Sequence, residues 1–512
     1  MVVRMSNVNI QKYKKIIGFV SFIIIIAVLF SKVTWLFRGN DVEAREDILG
    51  YGNEKCSIDV ILFDGSDVLR FYDPLEAWNK YGYTSYNYAT SSAQTDMLRF
   101  YAEESRKTQD AKLYIFDLRT ITFVNSDVSE STLRNWSDSV PVYSWVRAKG
   151  IYSYLFNRDI EGIDIPSYFI DIINYHTKYD SLSSERQWSY LNTNNIYSVD
   201  KGFDPYKNHT PFRKPISTEE RGEITDKQWK ALTKLVNYCD EESLNALFIC
   251  SPVVINEEDQ KLMNAVSDFI EESGYEFIDF NKYYDEIGID FETDYGDVNH
   301  VNYLGAKKFT DYFTDLLVNK YDLNDHRSDE AYSAWSDDYA KMEEKRNSWM
   351  NAVQNELNDH LEAAELGREL HNINDFSEWY GNIQNSNFTV LIKMTSVPKD
   401  LSSNNPFILF LSDYSIDPAR DHYIGAWRDA DALYSSSDEL ETELYIGVDG
   451  GRGTDLCKLS ITPNKINIGG VEYSDDNAPI QIVVYDNNYK EVIDSVRIQF
   501  TTEDTVVLNR TE

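Results

Sequence analysis

Between residues 56 and 320, short apolar runs alternate with longer stretches whose apolar residues fall at helical spacing. IDVILF, SYNYA, KLYIFDL, NALFICSP and YEFIDF read as strands, being short and bounded by turn residues. DPLEAWNKYG, TDMLRFYAEESRKTQ, DKQWKALTKLVNYCDEE and EEDQKLMNAVSDFIEESG read as helices, the first with Asp73 as N-cap and Pro74 in its first turn. Strands alternating with helices predict a parallel sheet covered on both faces. Residues 120–215 are less regular: IPSYFIDIINYH reads as helix and KGFDPYKNHTPFRKP as polar loop.

The pattern changes twice further on. Residues 326–366 are highly charged, sparse in apolar positions and free of Pro and Gly, which predicts helix, acting as a spacer or packing on a neighbour. After about 370, FTVLIKM, PFILFLS, ETELYIGV, PIQIVVYD and SVRIQF read as strands, with VDGGRGTD and NIGGVEYSDDN as turn or loop segments. The expected organisation is an N-terminal 1–15, a membrane helix 16–37, a linker 38–55, an α/β domain 56–325, a helical spacer 326–368 and a β-domain 369–512.

The membrane helix follows from Ile16–Ser31, which carries no charge, and from Val33–Phe37 beyond Lys32. About 20 residues span a bilayer, so Lys32 would snorkel and Trp35 would sit in the interfacial belt. Arg4, Lys12, Lys14 and Lys15 precede the run, and Asp41, Glu43, Glu46 and Asp47 follow it, which puts the N-terminus in the cytosol and the rest outside. A cleaved signal peptide is the alternative; the run is longer than a signal core and no small-x-small site follows it cleanly.

A formal charge of −36 excludes nucleic acid as a partner, because phosphates would be repelled. The four cysteines, Cys56, Cys239, Cys250 and Cys457, form no CxxC and read as buried thiols, although Cys239 and Cys250 could pair. The seven histidines are scattered, so neither a metal nor a cofactor is called for.

Chemistry concentrates in two stretches. VILFDGSDVLRFY breaks from an apolar strand at Gly65 into Ser66-Asp67, a place where a sheet can hold a nucleophile toward solvent. DYGDVNHVNYLGAKKFTDYF holds Asp297 and His300 three apart, so that a carboxylate can orient an imidazole. Together with KLYIFDLR, these stretches resemble the SGNH (GDSL-like) hydrolase superfamily over residues 56–320. More narrowly, they resemble its membrane-anchored surface proteins of the D-alanyl-transfer (DltD-like) and alginate O-acetylation kind.

The resemblance implies a flavodoxin-like, three-layer parallel sheet and O-acyl chemistry, acetyl or D-alanyl, on a cell-envelope polysaccharide or teichoic acid. It also implies a membrane-bound O-acyltransferase as partner and the outer face of a Gram-positive cell membrane. In that family the nucleophilic serine lies two residues after the glycine, a slot that Asp67 fills here, with Ser66 one residue early. Asp67 would pair with His300, and Ser66 would serve only if the turn were rearranged. Ala89, through its backbone N–H, and Asn87 are the oxyanion candidates, and Arg119 and Arg186 candidates for lining the cleft.

The segments DFSEWYGNIQNSNFTVLIKMTS, YIGVDGG, INIGGVEYSDDN and PIQIVVYDNNYKEVIDSVRIQF resemble the ILEI/PANDER-like (GG) β-domain over about 371–502, which implies an all-β, sandwich-like domain associated with sugar binding. Two functions stay open: an acyl-transferring or deacylating surface enzyme, and an inactive relative that holds a glycan or a partner.

Overall fold

The computed structural model describes residues 7–510 except 39–41, 126–129, 158–163, 171, 176–181, 183–184, 385–386, 420–421, 429–430, 437–441, 447–456, 463–464, 469–470, 474–477 and 488–490. The expected VDGGRGTD turn and part of NIGGVEYSDDN lie outside the described residues. The chain forms two compact units, Met1–Val353 and Gln354–Glu512, divided within the helix Glu343–His371.

The first unit opens with helix α1 (Asn7–Phe37), whose segment from Lys12 is long and apolar enough to cross a membrane. Its end departs from expectation. Thr34, Trp35 and Leu36 are buried in the folded unit, so they do not extend the lipid-facing run. The expected linker is also folded: α2 (Val42–Asn53) buries Ile48, Leu49 and Tyr51. Its polar residues hid a face that packs, because three apolar side chains close together suffice to dock a short helix.

The sheet comprises β1 (Val60–Phe63), β2 (Ser85–Asn87), β3 (Leu113–Asp117), β4 (Ala246–Cys250) and β5 (Glu276–Asp279), all parallel in the order β2-β1-β3-β4-β5. Each expected strand is present. Phe63, Phe116, Phe248 and Phe277 stand in register across four strands. The first three rings stack at 5.1 and 5.5 Å, and burying each contributes roughly 1.5–3 kcal/mol.

Helices follow the strands. After β1 come α3 (Ser66–Phe71) and α4 (Pro74–Tyr81), then α5 (Thr95–Ser105), α6 (Asp226–Glu241), α7 (Glu257–Glu272) and α8 (Tyr303–Lys320). Asp73 caps α4 as expected, accepting from Leu75 N and Glu76 N. The strand order reverses between β1 and β3, and right-handed crossovers then place helices on both faces. Accordingly α8 packs on α3 and α4, while α6 packs on α5 and meets α7 through Trp229 and Phe269.

The charged stretch from 326 is helical, as expected, and of the two expected roles, spacer or packing element, it packs. Tyr332, Trp335 and Trp349 are buried in the first unit, with Trp335 against Trp78. Ala363 and Leu370 enter the core of the second unit.

Among the described residues the second unit holds two antiparallel sheets. One runs Asp431–Ser436, Tyr423–Arg428, Phe388–Met394, Ile480–Asp486, Glu491–Thr502, Thr505–Arg510; the other runs Thr442–Ile446, Cys457–Ile461, Ile466–Ile468, Val471–Glu472. Leu391, Ala426 and Val483 of the first sheet share a core with Ile461 and Ile466 of the second, which is sandwich packing.

The all-β expectation fails on the other face of the large sheet. There the helices Phe376–Ile383 and Pro406–Asp413 contribute Phe376, Trp379, Phe407 and Phe410 to the main core. PFILFLS is therefore a helix and not a strand. Asn405 caps it by accepting from Phe407 N, Pro406 occupies the first turn, and Phe407, Phe410 and Leu411 bury one face.

Candidate active site

At the carboxyl end of β1 the chain passes through Asp64 and Gly65 straight into α3, with Ser66 as its first residue. A Cβ on Gly65 would lie 3.3 Å from the Ala93 carbonyl oxygen and from Thr120 Cγ2, close enough that these neighbours would have to give by a few tenths of an ångström. Opposite stands a hairpin of β6 (Tyr295–Asp297) and β7 (His300–Val301), in which Asp297 pairs with His300. The helix after it, α8, is capped by Asn302, whose side chain accepts from Leu304 N and Gly305 N.

Ser66 Oγ lies 2.8 Å from His300 Nε2, and His300 Nδ1 lies 2.9 and 3.1 Å from the two oxygens of Asp297. These are hydrogen-bond distances for a hydroxyl, a base and its orienting carboxylate in sequence. The expectation that Ser66 could serve only from a rearranged turn does not hold: the turn as it stands brings Ser66 Oγ to His300. The cause is local. The chain turns helical at Ser66, and successive helical side chains diverge by about 100°. Ser66 thus reaches the hairpin, whereas Asp67 turns under it.

Asp67 is 1% exposed. Its Oδ2 accepts from Arg119 Nε at 2.5 Å and its Oδ1 lies 3.3 Å from His300 Nε2. Asp67 occupies the slot expected for the nucleophile, yet Arg119 engages it as an ion-pair partner. His300 is shared between two carboxylates. Burial alone would lower its pKa, but the hydrogen bonds and charge of Asp297 and Asp67 outweigh this and raise it. The same contacts, with Arg119 on Asp67, hold both aspartates below the usual carboxylate range against the pull of burial.

Two further acids lie beneath. Phe63, the last residue of β1, pairs with Phe116 of β3, and each is followed by an aspartate, which brings Asp64 and Asp117 to the same level. Asp64 is fully buried. It accepts from Val68 N through Oδ2, and Oδ1 has no hydrogen-bond partner among the described residues. Burial, then the charges of Asp117 and Asp67, push its pKa well up. Asp117, which accepts from Ser251 and from Arg119 N, is pushed up to about 7 by burial and by Asp67. Three carboxylates around one guanidinium titrate as a group.

A cleft of about 280 Å³ opens here, lined by Ser66, Asp67, Gln94, Arg119, Phe123 and His300 among others. It lies where the strand order reverses, the usual ligand crevice of such sheets. Ser92, on its rim, is held in the left-handed region at φ 63°. The Tyr206 ring packs edge-on against the His300 ring at 5.0 Å.

No protein-family model and no curated protein matches the chain. The site stands on its geometry.

The oxyanion candidates fare differently. Asn87 Nδ2 donates to the carbonyls of Val68, Tyr72 and Gly202, so its amide braces the backbone instead of facing the cleft. Ala89 is fully buried and is not among the residues lining the cleft. Arg119 lines it, as expected; Arg186 does not, being paired with Glu46 through Nε and Nη2. Cys239 and Cys250 are buried free thiols.

Sequence reading missed Gln94, Tyr206, Asp64 and Asp117. An aspartate at the end of each of two buried strands was a usable signal for the last two. Gln94 and Tyr206 lie in loops without a pattern.

Proposed function

We propose that the first unit is an SGNH-type serine acyl-transfer domain, held at the outer face of a cell membrane by α1, that transfers or removes an O-linked acetyl or D-alanyl group on an envelope polysaccharide or teichoic acid. The observation that carries this reading is the Ser66–His300–Asp297 relay at the mouth of the cleft.

In this mechanism Ser66 Oγ attacks the ester carbonyl of the donor while His300 Nε2 takes the hydroxyl proton. Asp297 holds Nδ1–H and stabilises the imidazolium. The proton returns to the leaving alkoxide. The acyl-serine then passes to a polymer hydroxyl, or to water when the group is removed, and Ser66 is regenerated. Arg119 supplies positive charge beside the developing oxyanion. A membrane-bound O-acyltransferase would load the donor. The second unit would add a glycan contact, in keeping with its resemblance to ILEI/PANDER-like domains.

A second reading has its own observation. Asp67 Oδ1 competes with Ser66 for His300 Nε2, and an imidazolium pinned between two carboxylates cannot act as a base. The chain would then be a glycan- or partner-binding scaffold.

A fluorophosphonate probe separates the two. Wild type should be labelled on Ser66, as mapped by mass spectrometry, and Ser66→Ala should lose the label. Hydrolysis of p-nitrophenyl acetate by the variant should fall by about three orders of magnitude. Wild type that stays unlabelled between pH 6 and 9 (roughly the working range of a His base) would decide for the scaffold.

A further inference from the structure

Helix α1 does not end in a free hinge. Arg38, just past its last residue, is fully buried, donates from Nη1 to the carbonyls of Asp138 at 2.9 Å and Val140 at 2.7 Å, and lies over the Trp35 ring at 4.5 Å. Gln187 Nε2 donates to the Arg38 carbonyl at 3.1 Å. Nearly two turns earlier, the Lys32 ammonium donates to the Leu191 carbonyl. The segments Ile172–Tyr175 and Tyr190–Asn195 both pack against α1. The folded unit is thus fixed on the helix.

Near these contacts the chain exposes several apolar side chains. Ile165, Phe169, Ile170, Ile173, Trp188 and Leu191 are 37–49% exposed. Single exposed apolar side chains are ordinary, but these fall within one stretch of chain beside the end of α1. From Ile16 to Val33 the helix rises about 27 Å, close to the ~30 Å hydrocarbon core of a bilayer. Lys32 therefore stands at the boundary between acyl chains and headgroups, and whatever it touches stands there too.

We propose that this face, carried by the short helices Ile165–Phe169, Ile172–Tyr175 and Glu185–Ser189, is a second membrane contact that seats the first unit in the lipid headgroup layer. The occupant is the bilayer itself, because two of the segments that carry these side chains, Ile172–Tyr175 and Tyr190–Asn195, pack against the membrane helix. Trp188 suits the interface, and a shallow apolar face beside an anchor adds lipid contact without a second span. The inference rests on the reading that α1 crosses the membrane.

The test uses the full chain in nanodiscs of phosphatidylcholine and phosphatidylglycerol. Single nitroxide labels go on Ile24→Cys, Phe169→Cys, Ile173→Cys and Ile216→Cys, with labelling of the unmodified chain as background. Collision rates with oxygen and with a water-soluble nickel chelate report depth. Positions 24, 169 and 173 should favour oxygen several-fold over position 216, which is 89% exposed in a polar loop. Labels at 169 and 173 that match 216, while 24 favours oxygen, overturn the second contact and leave a protein partner as the occupant of the patch. A label at 24 that also favours nickel overturns the membrane span, and the proposal with it.

Discussion

Asp494 in the second unit and Asp67 in the first are 2% and 1% exposed, and each faces an arginine. Asp494 has several donors, Trp379 Nε1 at 2.8 Å, Ser495 N at 2.9 Å and Arg510 Nε and Nη2 at 3.2–3.3 Å, and His371 Nε2 lies 3.1 Å away. Arg510 also donates to the carbonyls of Leu370 and Ile373, so the cluster ties sheet to helix. Asp67 shares the Arg119 guanidinium with Asp64 and Asp117, which also feel its charge, and its other oxygen meets His300. A fully satisfied buried acid holds a fold together. Acids that compete for too few partners shift one another's pKa and mark a place where protons can move. The difference has a topological cause. Parallel strands deliver their carboxyl ends to one edge and open a crevice where the order reverses, whereas antiparallel strands distribute their ends.

The sharpest way to break this contrast is to remove the arginine from the contested cluster. Arg119→Met leaves Asp67 buried without its cation, and a loss of about 3–5 kcal/mol in urea unfolding at pH 7 is expected. An unchanged midpoint would mean that the acids are already neutral and the site is not charged as described. Gly296→Ala probes the support of the base. A Cβ there would lie 2.7 Å from Tyr206 Cδ2 and 2.8 Å from its Cβ. Displacing Tyr206 from His300 should lose about 1–3 kcal/mol and slow probe labelling, with the second unit unaffected by hydrogen exchange. Asn405→Ala makes the corresponding cut in the second unit. It removes a cap from Pro406–Asp413 and should lower stability by about 1 kcal/mol without touching acyl chemistry.

Asp67→Asn keeps the side chain's size but takes the negative charge from the buried Arg119 pair, so it costs stability as well as altering the titration. His300 works as a base only when deprotonated, so its raised pKa sets the acid limb of the rate profile. Removing the Asp67 charge lowers that pKa, and the acid limb of kcat/KM should move to lower pH. Asp117 adds a stability term of the opposite kind. Its pKa is up from 3.8 to about 7 in the fold. The protonated form is therefore favoured in the folded state, and this contribution, present at low pH, is lost as pH rises from about 4 through 7. Comparing unfolding midpoints of wild type and Asp117→Asn across that range isolates it, with wild type declining more steeply toward pH 7.

Apolar patterning and capping were local signals, and they were enough for the five strands, their helices, the Asp73 cap and the apolar N-terminal helix. Strand period and helix period are properties of consecutive residues. PFILFLS misled because a short apolar run fits either element, and its Asn405-Pro406 start was the cue that should have decided it. Asp297 and His300 were legible as a pair because they are three residues apart.

Which residue completes the relay was not legible. Ser66 and Asp67 are adjacent, and only the onset of a helix at Ser66, set by packing of α3 against α8 and the hairpin, turns the serine to His300 and the aspartate to Arg119. The buried end of α1 escaped for the same reason. Trp35 and Leu36 are apolar whether they face lipid or protein, and the chain 100 residues onward, at Asp138 and Val140, determines which. Sequence determined the elements because their causes are local, and tertiary structure decided the site because its contacts join residues some 234 positions apart.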